Sequence, residues 1–183
     1  MKKTAYITQG AVIAAAYFAL CMLVAPIAYG PIQFRVSEAL MLLPALTPAG
    51  VPGLFVGCLL FNLLNPAALG PIDVIFGSLA TLIAAVITRQ LALRLKPSLP
   101  NLKLKNAKTW LLPLPSVVSN GLIVGGYLLF LLPDTTVTIG AVLLNMLSIA
   151  ICEAVVVYAI GIPILFLLKK SPSILRLSGW SNA

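Results

Sequence analysis

The residues of this chain that can do chemistry are few, and nearly all stand in apolar surroundings. The carboxylates are Glu38, Asp73, Asp134 and Glu153, and Arg35 stands three residues before Glu38. Asn62 and Asn65 close one apolar stretch, Asp73 follows Gly70-Pro71, and Asn120 and Glu153 lie inside two later stretches. No charged residue separates Asp134 from Glu153, or Glu153 from Lys169. A carboxylate in such a run must be paired, protonated or hydrated, and by default it marks a functional cavity. The other groups also have plainer roles. Arg35 and Glu38 can form an ion pair at a helix start. Asp73 can be an ordinary acid at a helix N-terminus, and Asn120 can be a hydrogen bond between helices. Asp134, in Pro133-Asp134-Thr135-Thr136, reads best as a turn residue and N-cap.

Other chemistry is missing. There is no histidine, which removes the usual general base and the commonest metal ligand. Cys21, Cys58 and Cys152 sit far apart in apolar stretches with no CxxC spacing, so they read as small packing residues rather than metal or redox ligands. No GxxxxGK[ST] phosphate loop, HExxH or GxSxG occurs. The expectation is a binding protein rather than an enzyme, with no catalytic residue, no metal, no cofactor and no ATP site of its own.

The elements that must carry these groups are set by composition. Of 183 residues 61% are hydrophobic and 9% charged, with a mean hydropathy of +1.09. A soluble domain carries about 25% charged residues, and so few cannot wrap a water-soluble surface. The reading is an all-α integral membrane bundle, a single domain over 1–183, multi-pass in the cell membrane. Six spans are expected: Ile7–Ala28, Val36–Leu46, Val51–Leu64, Pro71–Leu93, Thr109–Leu132 and Val137–Leu168. The first resembles a secretory signal at its start but is long enough to span. The second and third form a short hairpin punctuated by Pro44, Pro48, Gly50, Pro52 and Gly53, and short helices are tolerated where they face protein rather than lipid. The last span should bend near Gly161-Ile162-Pro163.

Charge then orients the bundle. Lys2 and Lys3, the stretch from Arg89 through Lys108, and Lys169, Lys170 and Arg176 together hold eleven of the twelve basic residues, and six spans put all of them on one face. By the positive-inside rule that face, with both termini, is cytoplasmic. The net charge of +8 therefore reflects topology rather than nucleic-acid binding. Arg35 alone falls on the outer side, where the ends of the first four spans bring Arg35, Glu38, Asn62 and Asp73 together. Asn120 and Glu153 are expected deeper. Ala11, Ala15 and Ala19 recur every fourth residue on one stripe of the first span, which suits close approach of another helix, either within the bundle or from a separate subunit. Gly53-xxx-Gly57 and Gly121-xxx-Gly125 read as internal packing faces.

The small size, six spans and AxxxA stripe resemble the substrate-binding S components of energy-coupling factor (ECF) vitamin transporters, ABC-type importers. More narrowly, three stretches resemble the QueT family of queuosine-precursor transporters. They are Gly30-Pro31-Ile32-Gln33-Phe34-Arg35-Val36-Ser37-Glu38-Ala39-Leu40, Gly57-Cys58-Leu59-Leu60-Phe61-Asn62-Leu63-Leu64-Asn65-Pro66 and Gly70-Pro71-Ile72-Asp73-Val74-Ile75-Phe76-Gly77-Ser78. Ser119-Asn120-Gly121 and Glu153 with Gly161-Ile162-Pro163 fit the later part, so the likeness runs over Thr8–Leu168. It implies capture of queuine or its deazaguanine precursors from outside. Delivery inward would follow with a membrane coupling subunit and two cytoplasmic ATPases, the S component toppling in the lipid and docking through Ala11, Ala15 and Ala19. The implied ligand's edge carries adjacent N–H donors that a carboxylate accepts in a charge-assisted pair. A side-chain amide serves the remaining groups, and an aromatic ring stacks on the flat heterocycle. The site residues so implied are Tyr29, Phe34, Arg35, Glu38, Asn62, Asp73, Asn120 and Glu153, with Phe61 a further ring. Two alternatives stay open at this point: an S component for another vitamin, and a structural membrane subunit with no small ligand.

Overall fold

The computed structural model describes residues 3–25, 34–64, 69–95, 107–133 and 135–170. Every regular element among them is helical. Four helices are long and apolar enough to cross a membrane: α1 (Lys3–Leu23), α4 (Pro71–Arg94), α5 (Ala107–Phe130) and α6 (Ile139–Leu168). Two are shorter, α2 (Val36–Leu46) and α3 (Gly50–Leu64). The bounds lie within a few residues of the expected spans. Local chemistry sets some of them: α6 begins where Thr138 caps it, its hydroxyl accepting from the Ala141 N–H at 3.1 Å. Asp134, to which the sequence assigned the turn and the cap, lies outside the described residues, as do Asn65, Arg176 and most of the basic loop before α5.

The longer helices and α3 pack in series, α1 on α3, α3 on α4, α4 on α5 and α5 on α6. Small residues permit the close contacts. A Cβ at Gly57 would stand 2.8 Å from the Ala14 carbonyl oxygen of α1, and one at Gly125 would stand 2.5 Å from the Met146 Cα of α6. Both Gly-xxx-Gly pairs are thus helix-packing faces. Gly125 also accepts the Asn145 side-chain amide at 2.8 Å on its carbonyl, tying α6 to α5.

Helix α2 sits among the others, in contact with α1, α4 and α6. Ser37, Glu38, Ala39, Met41, Leu42, Pro44, Ala45 and Leu46 are all buried there. Its eleven residues rise only about 20 Å, two-thirds of a hydrocarbon core. It needs no more, because its neighbours rather than lipid cover it. Its first seven residues are wound as a tight three-residue-per-turn helix before an α-helical turn at Leu43–Leu46. Arg89 of α4 donates to the Pro44 carbonyl at 3.2 Å, satisfying backbone near the C-terminal end of α2.

The two long C-terminal helices are irregular, in part beside proline. Helix α5 breaks at Leu112-Pro113 and carries a wide π-turn at Asn120–Val124. Helix α6 has a second π-turn at Val157–Gly161, just before Pro163. Proline lacks the N–H its position would donate and its ring crowds the preceding turn, and a widened turn accommodates both. The expected bend is therefore a π-turn. Around the outside, Leu23, Ile139, Leu144 and Leu167 are each more than two-thirds exposed. Bare leucine and isoleucine on this scale suit a hydrocarbon solvent and not water.

Candidate functional site

Arg35 and Glu38 open α2, Asn120 stands at the start of the π-turn in α5, and Glu153 lies midway along α6. Three separate helices bring these four side chains to one cleft, closed by Val124 and Ile149. Each of the four is at least nine-tenths buried. The outer pair and the deeper pair, which the sequence set at different depths, are one constellation.

Hydrogen bonds organise it. Tyr17 of α1 donates its hydroxyl to Glu38 Oε1 at 2.5 Å. The Asn120 side chain stands beside both Glu38 and Glu153 in the cleft. Ser116 also stands near Glu153, and its hydroxyl donates to the Pro113 carbonyl oxygen at 3.1 Å. Ser37 and Cys21 meet at 2.9 Å behind Glu38. After these contacts Glu38 Oε2 and Glu153 Oε1 remain buried with no hydrogen-bond partner. A buried carboxylate oxygen left this way is destabilising by about 1–3 kcal/mol or more, so each points to a donor that the resting protein does not supply.

Asp73 and Asn62 make an adjacent polar cluster between α3, α4 and α5. Tyr127 donates to Asp73 Oδ1 at 2.6 Å, and the Asn62 amide reaches the Asp73 carbonyl oxygen at 3.4 Å and Cys58 Sγ at 3.6 Å. Asp73 Oδ2 and Asn62 Oδ1 are buried without partners. Arg35 links the two clusters: its guanidinium interacts electrostatically with Asp73 and lies 5.9 Å from the centre of the Phe61 ring. Asp73 is therefore more than an exposed helix-start acid, being wholly buried and held by a tyrosine from another helix. Phe61 is fully buried beneath the guanidinium and serves Arg35 rather than offering an open stacking face. Phe34 is half-buried at the entry to α2, and Tyr29 lies outside the described residues.

The free space among Arg35, Glu38, Asn120 and Glu153 is small, about 10 Å³, the room of roughly one water. A flat bicyclic ligand does not fit that space as it stands. A far larger groove of about 820 Å³ runs along Thr8, Val12 and Ala16 of α1 towards Leu43 and Leu168, but its walls are almost wholly apolar. It offers no recognition chemistry for a polar ligand, whereas the small cleft has unsatisfied acceptors. On α1 itself, Ala14 and Tyr17 are buried against α3, while Ala11, Ala15 and Ala19 are exposed. The small-residue stripe is left open on the outside of the bundle, and a second groove of about 310 Å³ flanks it beside Gly10 and Gly53.

Tyr17, Ser116 and Tyr127 are site residues that sequence reasoning missed. A hydroxyl inside an apolar run reads as packing. The one local signal was that Tyr17 and Cys21 share a helix face at four-residue spacing, and both turn out to face α2.

A family model described as QueT transporter matches residues 7–170 of the chain. No curated protein and no solved structure matches it.

Proposed function

Because the chain belongs to the QueT transporter family, we propose that it is the substrate-binding S component of an energy-coupling factor importer and that its cleft takes a deazaguanine of the queuosine-precursor type. It is a multi-pass membrane protein of a transport family. The finer reading is carried by one observation: three helices deliver Glu38, Asn120 and Glu153 to a single buried cleft with two carboxylate oxygens unsatisfied. A guanine-like edge supplies adjacent N–H donors of the kind a carboxylate accepts in pairs. Asn120, able to donate and accept, serves the neighbouring carbonyl or ring nitrogen. Arg35 attracts Glu38 electrostatically from the same turn, and the Tyr17 hydrogen bond limits its rotation. The Asp73–Tyr127–Asn62 cluster forms the adjoining wall.

Six membrane crossings with both ends inside place Arg35 and the mouth of the cleft outside. Ligand arriving there is carried inward when the protein engages a coupling subunit driven by two ATPases. The open Ala11–Ala15–Ala19 stripe, with a groove on either flank, is the surface on which that subunit packs. No nucleic acid takes part, and the basic inner face follows from topology. The test is uptake of a radiolabelled deazaguanine into vesicles holding the protein with its coupling subunit and ATPases. ATP-dependent accumulation is expected, lost when the coupling subunit is omitted. Uptake of an unrelated vitamin in its place would reject the substrate assignment.

A further inference from the structure

The groove of about 820 Å³ between α1, α2 and the end of α6 shares no lining residue with the ligand cleft, and none of Ala11, Ala15 and Ala19 lines it. Its polar borders are satisfied within the protein. The Thr47 hydroxyl donates to Gln9 Oε1 at 3.0 Å, and the Thr8 hydroxyl donates to the Thr4 carbonyl at 3.0 Å. What remains is a wall of Val12, Ile13, Leu40, Leu43 and Leu46, which offers dispersion contact and no hydrogen bond. From Thr4 to Ala16 the groove follows α1 for about 18 Å at about 1.5 Å per residue. That is close to the depth of one leaflet, about 15 Å of a hydrocarbon core about 30 Å thick.

One end of this groove is basic. Leu46 of α2 and Leu168 of α6 belong to one packed cluster, and the Thr47–Gln9 bond ties the end of α2 to the early turns of α1. The start of α1 and the ends of α2 and α6 therefore lie together. Lys3 immediately precedes Thr4, and Lys169 and Lys170 immediately follow Leu168. Lys3 and Lys170 are exposed, and the Lys169 ammonium lies 4.4 Å from the centre of the Phe166 ring. Among the described residues the carboxylates are Glu38, Asp73 and Glu153, each buried in the cleft or its wall, and none of them lines the groove. We propose that this groove binds an anionic phospholipid, one acyl chain lying along α1 and the headgroup phosphate held by Lys3, Lys169 and Lys170. Such a lipid needs an apolar wall through one leaflet and a cation at headgroup level, and the groove supplies both in that order. Chain contact and charge are the two signals that together hold a lipid in place. A zwitterionic lipid fits the same trough, but its own cation opposes the lysines. A second copy of this chain, oriented the same way in the membrane, brings the same lysines to the same level and is repelled. The site is independent of what the cleft binds.

The test is native mass spectrometry of the purified full-length protein. It is released from bilayer nanodiscs holding equal amounts of phosphatidylglycerol and phosphatidylcholine with matched acyl chains. The parent is expected to retain a bound lipid, with phosphatidylglycerol favoured about tenfold or more, as lysines at headgroup level require. Lys3→Gln, Lys169→Gln and Lys170→Gln together should bring that preference to within about twofold. Val12→Trp fills the trough from a position that is 63% exposed, so the core is untouched. The retained lipid should then be lost although all three lysines remain. Equal retention of the two lipids by the parent overturns the proposal without needing any variant. A preference that survives the triple variant overturns the role of the basic end, and a lipid that survives Val12→Trp overturns its place in the groove. A dimer that carries no lipid gives the groove to a second copy and overturns the proposal as well.

Discussion

Glu38 shows how one residue is prepared for binding. Burial alone would make its carboxylate a liability, but the Tyr17 hydroxyl occupies Oε1 at 2.5 Å and leaves Oε2 turned to the cleft. Tyr127 does the same for Asp73, holding Oδ1 at 2.6 Å while Oδ2 stays unsatisfied. Each tyrosine thus fixes one oxygen and presents the other, which reduces the rotamer freedom lost on binding. Tyr17→Phe removes the donor and keeps the ring. A hydrogen bond to a charged group contributes about 1.5–3 kcal/mol, so deazaguanine affinity should fall by about tenfold or more while the protein still purifies as a folded monodisperse species. Unchanged affinity in calorimetry would show that Tyr17 only packs. The carboxylates and Asn120 were legible in the sequence because a polar side chain in an apolar run needs a reason. The tyrosines were not, since a phenol is at home in a core and nothing local announces that its hydroxyl meets a carboxylate 21 or 54 residues away.

At the scale of helices, α1 divides its two faces between different tasks. Ala14 and Tyr17 lock against Gly57 of α3, whereas Ala11, Ala15 and Ala19 look outward. Sequence spacing located the stripe and left open whether it faced inward or out. The answer depended on which side α3 occupied, a tertiary fact. Ala15→Trp puts a large ring on the exposed stripe without touching the α1–α3 contact. ATP-driven uptake should drop to background while deazaguanine affinity of the isolated protein stays within about twofold, as for a surface change away from the site. If binding falls with transport, the stripe belongs to the ligand-binding fold and not to docking. The irregularity of α5 and α6 was only partly readable. Pro163 signalled a disturbance near Gly161, but the π-turn that begins at Asn120 follows no proline within α5's second half. It sets Asn120 in the cleft, and wide turns of this kind recur at functional positions.

For the whole molecule, hydropathy was enough to locate the helices found among the described residues to within a few residues, because long apolar runs have so few solutions. It was not enough to show that α2 lies inside the bundle, which follows from how the longer helices close around it. The orientation rests on the basic residues flanking the spans, many of them outside the described segments. A single thiol introduced at Lys103 in a background without native cysteines should react with a membrane-impermeant reagent only from the cytoplasmic side. Labelling from the outside would invert the bundle and put the cleft at the wrong face. The central claim concerns what that cleft holds. The protein should therefore be purified from cells supplied with several vitamins together with deazaguanines, and the small molecule extracted from it weighed by mass spectrometry. The account predicts a deazaguanine in near-stoichiometric amount, lost in a Glu38→Gln, Glu153→Gln double variant. A different vitamin bound at that stoichiometry would contradict it.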